Sequence, residues 1–297
     1  MTESAKPLPP DAALDPQGIT ARSGSNFLAG FVCLGAARRG AMTAIYAFCR
    51  VVDDAVDDAP DVATGRAWLG FWSNELEAAT AGRAHAPVGV ALQSAMQRFG
   101  VRPEPLRELI AGCATDLDAA APADVEGLEL YCYRVAACVG LTCLPVLGAD
   151  SEGGRRYATE LGHALQLTNV LRDLRGDAEI GRCYVPDTWR AELHLDRAAL
   201  LGTGAAALYE AGGGVHELCR RLAARARERF AAARRELRSL PLAERRGLVA
   251  ARIMGAVYAD LLGRLERRGG ALLAPRVRVP RMRKLWLALV VWAGARA

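Results

Sequence analysis

The run Leu161-Gly-His-Ala-Leu-Gln-Leu-Thr-Asn-Val-Leu-Arg-Asp-Leu-Arg-Gly-Asp177 constrains this chain more than any other stretch. At 100° per residue, Gln166, Asn169, Asp173 and Asp177 fall at relative angles of roughly 0, 300, 340 and 20°, one narrow helix face. Leu161, Leu165, Val170, Leu171 and Leu174 cover much of the remaining circumference. A helix apolar nearly all round belongs in a core, with its polar stripe turned to an internal cavity. Two carboxylates four residues apart in such a place repel each other and stay ionised only where cations answer them. Hard divalent cations such as Mg²⁺ take oxygen ligands of this kind and bridge to phosphates. The plainer alternative is an amphipathic helix with its Asp pair in solvent, and this run by itself leaves the two open.

A second acidic cluster bears on that choice. In Ala44-Ile-Tyr-Ala-Phe-Cys-Arg-Val-Val-Asp-Asp-Ala-Val-Asp-Asp58, Asp53 and Asp57 share a helix face, with Arg50 one turn earlier. Alone it is a weak signal, because Arg50 could pair with Asp53 or Asp54 on a solvated surface for a few tenths of a kcal/mol. Two such clusters on otherwise apolar helices, over a hundred residues apart in the chain, suggest helices facing each other across a pocket and binding Mg²⁺ from both walls. A diphosphate ester is the natural ligand for that arrangement.

The quoted runs also carry a resemblance. Tyr46-Ala-Phe-Cys-Arg-Val-Val-Asp-Asp54 and Ala164-Leu-Gln-Leu-Thr-Asn-Val-Leu-Arg-Asp173, followed by Gly181-Arg-Cys-Tyr-Val-Pro186, resemble the two signature regions of the squalene/phytoene synthases. The likeness covers the chain from about Ser23 to Ala288. Ala178-Glu-Ile-Gly-Arg-Cys-Tyr-Val-Pro186 and Arg283-Lys-Leu-Trp-Leu-Ala-Leu289 look most like the bacterial presqualene diphosphate synthases of hopanoid pathways. The resemblance implies an all-α, isoprenoid-synthase-type helical bundle with a central cavity. It implies metal ligation by Asp53, Asp57, Asn169, Asp173 and Asp177, with two or three Mg²⁺ ions or Mn²⁺ in their place. Substrate contacts fall to Ser23, Gly24, Ser25, Asn26, Tyr46, Arg50, Gln166, Arg172, Arg182, Tyr258 and Arg276, and Tyr131 steers a proton during cyclopropane closure. The implied reaction joins two farnesyl diphosphates head to head into presqualene diphosphate, with no NADPH for this first step.

Two departures from the family pattern stand out. Asn26 and Leu28 occupy positions where relatives often carry Ser and an aromatic, and Gly176 replaces a frequent acid at the rim of the second motif. The Asp173–Asp177 spacing survives, so metal binding is expected to survive with it. The alternatives are a phytoene synthase using geranylgeranyl diphosphate, a squalene synthase with a reductive second step, and a non-catalytic relative acting as an assembly factor. Assembly factors tend to lose motif carboxylates, which this chain keeps. The Gln166 to Asp177 stripe argues against head-to-tail prenyltransferases and terpene synthases, which can share the Asp53-Asp-x-x-Asp57 pattern.

High Ala, Leu and Arg content with helical periodicity and few β-branched runs favours an all-α chain, read as one domain over 21–297 behind a mobile, Pro-rich tail at 1–20. Ser23 or Ser25 is a candidate cap for a first helix. Trp68, Phe71 and Trp72 at helical spacing read as core, and Ala136, Ala137 and Gly140 leave room for a neighbouring helix or a prenyl chain. As a lone residue, Tyr131 reads equally as a hydrogen-bonded core phenol. Gly176 and Gly181 are expected to loosen the chain after the central helix, and the Arg-rich segment from Glu217 to Leu240 reads as a solvated face. Eight cysteines without a C-x-x-C pair read as buried thiols in a reducing compartment, and four scattered histidines show no zinc spacing, with His163 a packed helix residue.

The net charge of +5 is modest, but about half the basic residues lie after Leu218. With no nucleic-acid motif, diphosphates and anionic lipid are the expected partners, together with downstream enzymes of the pathway. No signal-peptide core is present near the N-terminus, which places the protein in the cytoplasm. The apolar run behind Arg281-Met-Arg-Lys284 has about eleven residues, against the roughly twenty that span a bilayer. It reads either as an interfacial anchor at the inner face of the membrane, with Trp286 and Trp292 near the headgroups, or as a last helix packed on the core.

Overall fold

The structure, a computed structural model, describes residues 8–23, 34–269 and 276–296. Helices follow one another as α1 (Pro16–Ser23), α2 (Ala36–Asp57), α3 (Val62–Thr80), α4 (Pro87–Phe99) and α5 (Glu104–Leu117). Next, α6 (Val125–Cys132) runs through a π-turn at Tyr133–Ala137 into α7 (Cys138–Leu147), and α8 (Glu152–Glu179) follows. The short α9 (Asp187–Glu192) and α10 (Arg197–Leu201) precede α11 (Gly214–Ser239), α12 (Leu242–Gly247), α13 (Val249–Arg267) and α14 (Arg281–Arg296). No strand occurs among the described residues, so the all-α expectation holds.

The chain gathers into two compact units, Met1–Asp118 with Cys138–Asp150, and Ala119–Ala137 with Ser151–Ala297. In the first unit α2 is the hub, packing on α1, α3, α4, α5 and α7. Its Ile45, Phe48, Val51 and Val52 are almost wholly buried, and Phe48 meets Trp72 edge to face at 6.3 Å. Trp68 and Trp72 are core residues, as their spacing predicts. The Asp61 carboxylate caps α3 by accepting the Thr64 N–H at 2.8 Å, which satisfies one of the helix's orphan donors.

The N-terminal tail is a correction. Residues 8–20 are described, α1 begins at Pro16, and Ile19 is buried where α1 packs on α2 and α4. Arg22 closes a salt bridge to Asp11 at 2.5 Å. Local proline content suggested a free segment, but Pro9, Asp11, Pro16, Ile19 and Thr20 are all buried and the Arg22–Asp11 ion pair fastens it further. Ser23 is the last residue of α1, not its N-cap, and Ser25 lies outside the described residues.

In the second unit α8 is the hub, packing on α6, the π-turn, α10, α11 and α13. Ser151 caps it, accepting the Gly154 N–H at 3.0 Å. Leu161, Ala164, Leu167, Val170, Leu171 and Leu174 are buried. Gly162 is required by a close approach: a Cβ there would sit 2.4 Å from the Ala137 Cα in the π-turn. Gly176, expected to loosen the chain, stays inside α8 with open space around it; the turn comes at Gly181, with φ +82°. The Arg-rich segment is more than a solvated face. α11 lays Leu218, Leu222, Ala226 and Phe230 against α8, and its arginines form ion pairs, Arg221 with Glu192 and Glu217, and Arg229 with Glu129 of α6 and Glu160 of α8.

Among the described residues, only Val125–Leu147 is long and apolar enough to cross a membrane, and half of its most apolar stretch is buried inside the protein, as in a core helix. No disulfide joins the described cysteines, of which five are buried and two half-buried. Burial pushes the Cys132, Cys143 and Cys219 thiols up to about 12, which keeps them as inert packing groups.

Candidate active site

The first acidic cluster stands at the C-terminal end of α2. Val51, Val52, Ala55 and Val56 point into the core, which turns Asp53 and Asp57 outward on the remaining face. Arg50 gives most of itself to Asp54, with Nε 2.9 Å and Nη2 2.5 Å from its two carboxylate oxygens, and approaches Asp53 only to 3.7 Å. Tyr46, one turn earlier, adds to the electrostatic environment of that guanidinium. About half of the Asp53 side-chain surface is accessible. The protein around it, and then Asp57, nevertheless push its carboxyl up to about 7 against the pull of Arg50, with Asp54 and Asp116 adding to the push. Four carboxylates, those of Asp53, Asp54, Asp57 and Asp116, thus gather beside Arg50 at this end of α2. Asp116, on α5, could not be joined to the cluster from sequence spacing.

The second cluster is the stripe on α8. Gln166, Asn169, Asp173 and Asp177 are all half-buried, whereas Leu167, Val170, Leu171 and Leu174 between them are buried. Asn169 donates from Nδ2 to the Gln166 Oε1 at 3.2 Å, while its own buried Oδ1 accepts no hydrogen bond among the described residues. An unsatisfied buried oxygen costs free energy unless something binds it. Asp173 carries two guanidiniums. Arg172 donates to both of its oxygens, and Arg276 adds a bidentate pair at 2.8 and 2.9 Å. Burial pushes the Asp173 carboxyl up, but these hydrogen bonds outweigh burial and hold it below the usual carboxylate range. Tyr258, on α13, bonds Arg172 in turn. The structure thus brings Arg172, Asp173, Tyr258 and Arg276 together, residues up to 104 positions apart (276 − 172).

The turn after α8 completes this unit's polar groups. Arg182 donates its backbone N–H to the Asp177 carbonyl at 2.8 Å, and Asp187 and Thr188 hydrogen-bond back to the carbonyls of Pro122 and Ala123. That tether places Tyr184 flat against Tyr131 of α6, ring centroids 4.6 Å apart and planes 20° from parallel. Tyr184 lay inside a recognised run, but only the fold shows it as the partner of Tyr131. His163 is buried, its Nδ1 2.8 Å from the Thr159 carbonyl, a packed helix residue as its place on the apolar run implied. Gly24, Ser25, Asn26 and the Ser23 side chain lie outside the described residues.

Within each unit the donors suit a hard cation: the Asp53 and Asp57 carboxylates on α2, and on α8 the Asp173 and Asp177 carboxylates with the unsatisfied amide oxygen of Asn169. Among the described residues, no three His, Cys, Asp or Glu side chains converge as a ready-made metal cage. Arg172 and Arg276 offer forked donors to an oxyanion.

A family model described as squalene/phytoene synthase matches residues 20–283. The chain belongs to the squalene/phytoene synthase family. Among its relatives, a presqualene diphosphate synthase of Zymomonas mobilis is 41% identical over 195 residues, covering 63% of this chain and 66% of that one. A 15-cis-phytoene synthase of Synechocystis is 37% identical over 180 residues, covering 57% and 53%. The chain's matches thus span just under two thirds and about half of these relatives' lengths. Among solved structures, a dehydrosqualene synthase in complex with ligand is 25% identical with a TM-score of 0.78, covering 95% of each chain. A squalene synthase, HpnC, of Alicyclobacillus acidocaldarius is 27% identical with a TM-score of 0.73, covering 86% of this chain and 92% of that one. For this squalene/phytoene synthase family member, the matched residues include the whole of α2 and α8.

Proposed function

We propose that this chain is a prenyltransferase joining two farnesyl diphosphates head to head into presqualene diphosphate. The observation that carries this reading is the α8 stripe, where an unsatisfied Asn169 oxygen lies one turn from an Asp173 held by two guanidiniums. Such a surface takes up a diphosphate together with its counter-cations. Asp53, Asp57, Asn169, Asp173 and Asp177 would hold Mg²⁺, with Mn²⁺ as a substitute. When bound, the metal neutralises the diphosphate and makes it a better leaving group.

The protein's own residues account for the rest. Arg172 and Arg276 hold phosphate oxygens by forked hydrogen bonds, with Arg50, Arg182, Gln166, Tyr46 and Tyr258 as further donors. The C1–O bond of one substrate breaks, and its diphosphate leaves with the electron pair. The C2=C3 double bond of the second substrate attacks the allylic C1, and loss of a proton from that same carbon closes the cyclopropane. The balance is two prenyl diphosphates giving one cyclopropyl diphosphate, one diphosphate and one proton. Tyr131, with its ring fixed against Tyr184, steers that proton. Small, apolar residues such as Ala136 and Ala137 exclude water that would quench the cation. No nicotinamide cofactor enters this step.

The presqualene diphosphate product is supported by the Zymomonas relative and by a presqualene diphosphate synthase of Rhodopseudomonas palustris, 36% identical over 71% of this chain. The second reading is phytoene synthesis from geranylgeranyl diphosphate, favoured by the 37% identity to the Synechocystis protein. Incubation with Mg²⁺ and either substrate, without NADPH, followed by mass analysis, separates them. A C30 cyclopropyl diphosphate is expected; a C40 product moves the protein to the second reading, and no consumption of either makes it a non-catalytic family member. A cytoplasmic enzyme working at the inner face of the membrane suits substrates with such long apolar tails, and its product would pass to the next enzyme of the pathway.

A further inference from the structure

We infer that α14 is a docking helix for anionic phospholipid, lying in the plane of the membrane surface. Its outer side is apolar and exposed: Met282 is 76% accessible, Leu289 64%, Leu285 58%, Trp286 51% and Val290 50%. At 100° per residue these five and Ala293 fall within an arc of roughly 140°. Arg281 and Arg283 bound that arc on either side. The opposite side, with half-buried Leu287, Ala288, Val291 and Trp292, rests where α14 packs on α12 and α13. Arg283 fixes the orientation. Its Nε donates to Asp260 of α13 at 2.9 Å while its guanidinium lies 4.4 Å over the Trp286 ring. The helix is therefore packed and unpartnered at once, with Trp286 rather than Trp292 at the outer surface.

Charge selects the occupant. Residues 276–296 contain six basic side chains and no acidic one. Arg276, Arg278, Arg281 and Arg283 are exposed, Arg276 and Arg283 being engaged by Asp173 and Asp260. A second copy of this face would bring like charges together around the apolar patch, whereas an anionic lipid surface answers them. At about 1.5 Å per residue, the 16-residue helix is about 24 Å long, too short to span a hydrocarbon core of about 30 Å but suited to lying flat.

The test uses the full chain without substrate or Mg²⁺. Wild type should sediment with vesicles of phosphatidylglycerol and phosphatidylcholine at least tenfold better than with pure phosphatidylcholine. Leu285→Glu with Leu289→Glu, both exposed, should abolish this, and Arg278→Gln with Arg281→Gln should weaken it severalfold. Helical circular dichroism and turnover of substrate in detergent should be unchanged. Failure of wild type to sediment with anionic vesicles overturns the inference, as does equal binding by the double-Glu variant. So does a concentration-dependent dimer that the double-Glu change dissolves. Turnover in detergent reports on the proposed reaction separately, so either reading can fail without the other.

Discussion

Asp53 and Asp173 place the same side chain in opposite electrostatic states. Desolvation by the protein around Asp53 comes first, three neighbouring acids add to it, and one distant guanidinium does not offset them, so its carboxyl rises to about 7. Asp173 has two close guanidiniums and falls below the usual range. From about pH 4, where an unfolded Asp titrates, to about 7, the native chain holds a proton at Asp53 that the unfolded chain has lost. Stability in metal-free buffer should therefore fall as pH rises through that window, and level off above it. Asp53→Asn should flatten the slope, as read from denaturant midpoints between pH 4 and 8; an unchanged slope would mean the proton is held elsewhere. The same residues should separate catalysis from folding. Asp53→Ala and Asp173→Ala are each expected to reduce turnover by at least about a thousandfold, the scale of losing a transition-state charge contact, with far-ultraviolet circular dichroism preserved. Near-wild-type turnover in either variant would sink the role assigned to its cluster.

At the scale of elements, α8 was legible because its evidence is internal: the 3.6-residue period alone puts four polar groups on one side, and all four are half-buried there. The Asp53–Asp57 pair was legible for the same reason. What was not legible depends on distant partners. Asp116 joins the first cluster from α5, Tyr184 reaches Tyr131 through a turn tied to residues 122 and 123, and α1 packs on α2 and α4 with Pro16, Ile19 and Thr20 buried. Two glycines of α8 test how far local rules carry. Gly176 is exposed, and a Cβ added there would meet nothing within 4 Å, so Gly176→Ala should stabilise the protein by about 0.5–1 kcal/mol through helix propensity. At Gly162 the same change meets the Ala137 backbone, and Gly162→Ala should destabilise by at least about 1–3 kcal/mol. Thermal or urea unfolding of the pair measures both signs. Equal effects at the two positions would mean that the π-turn yields where it is drawn tight.

At the scale of the whole molecule, the charge balance says what a ligand has to supply. Near the end of α2, Asp53, Asp54 and Asp57 gather with Asp116 of α5 beside Arg50, and the α8 stripe holds an unsatisfied amide oxygen beside an Asp already engaged by two arginines. A cation alone satisfies the acids but competes with Arg172 and Arg276 for Asp173. A diphosphate alone satisfies the arginines but repels the acids. On the proposed reaction the metal and the diphosphate bind as a pair, so Mg²⁺ and inorganic diphosphate should stabilise the fold far more in combination than the sum of either alone. At a ligand concentration about a hundred times the dissociation constant, the combined effect should approach about 2.7 kcal/mol, read as a rise in melting temperature. Asp53→Asn and Asp173→Asn should each remove most of it, and Arg276→Met should remove the diphosphate share while leaving the smaller Mg²⁺ effect. An additive response to the two ligands would mean that they bind independently, and the coupling of metal to diphosphate on which the proposed leaving-group chemistry depends would be lost with it.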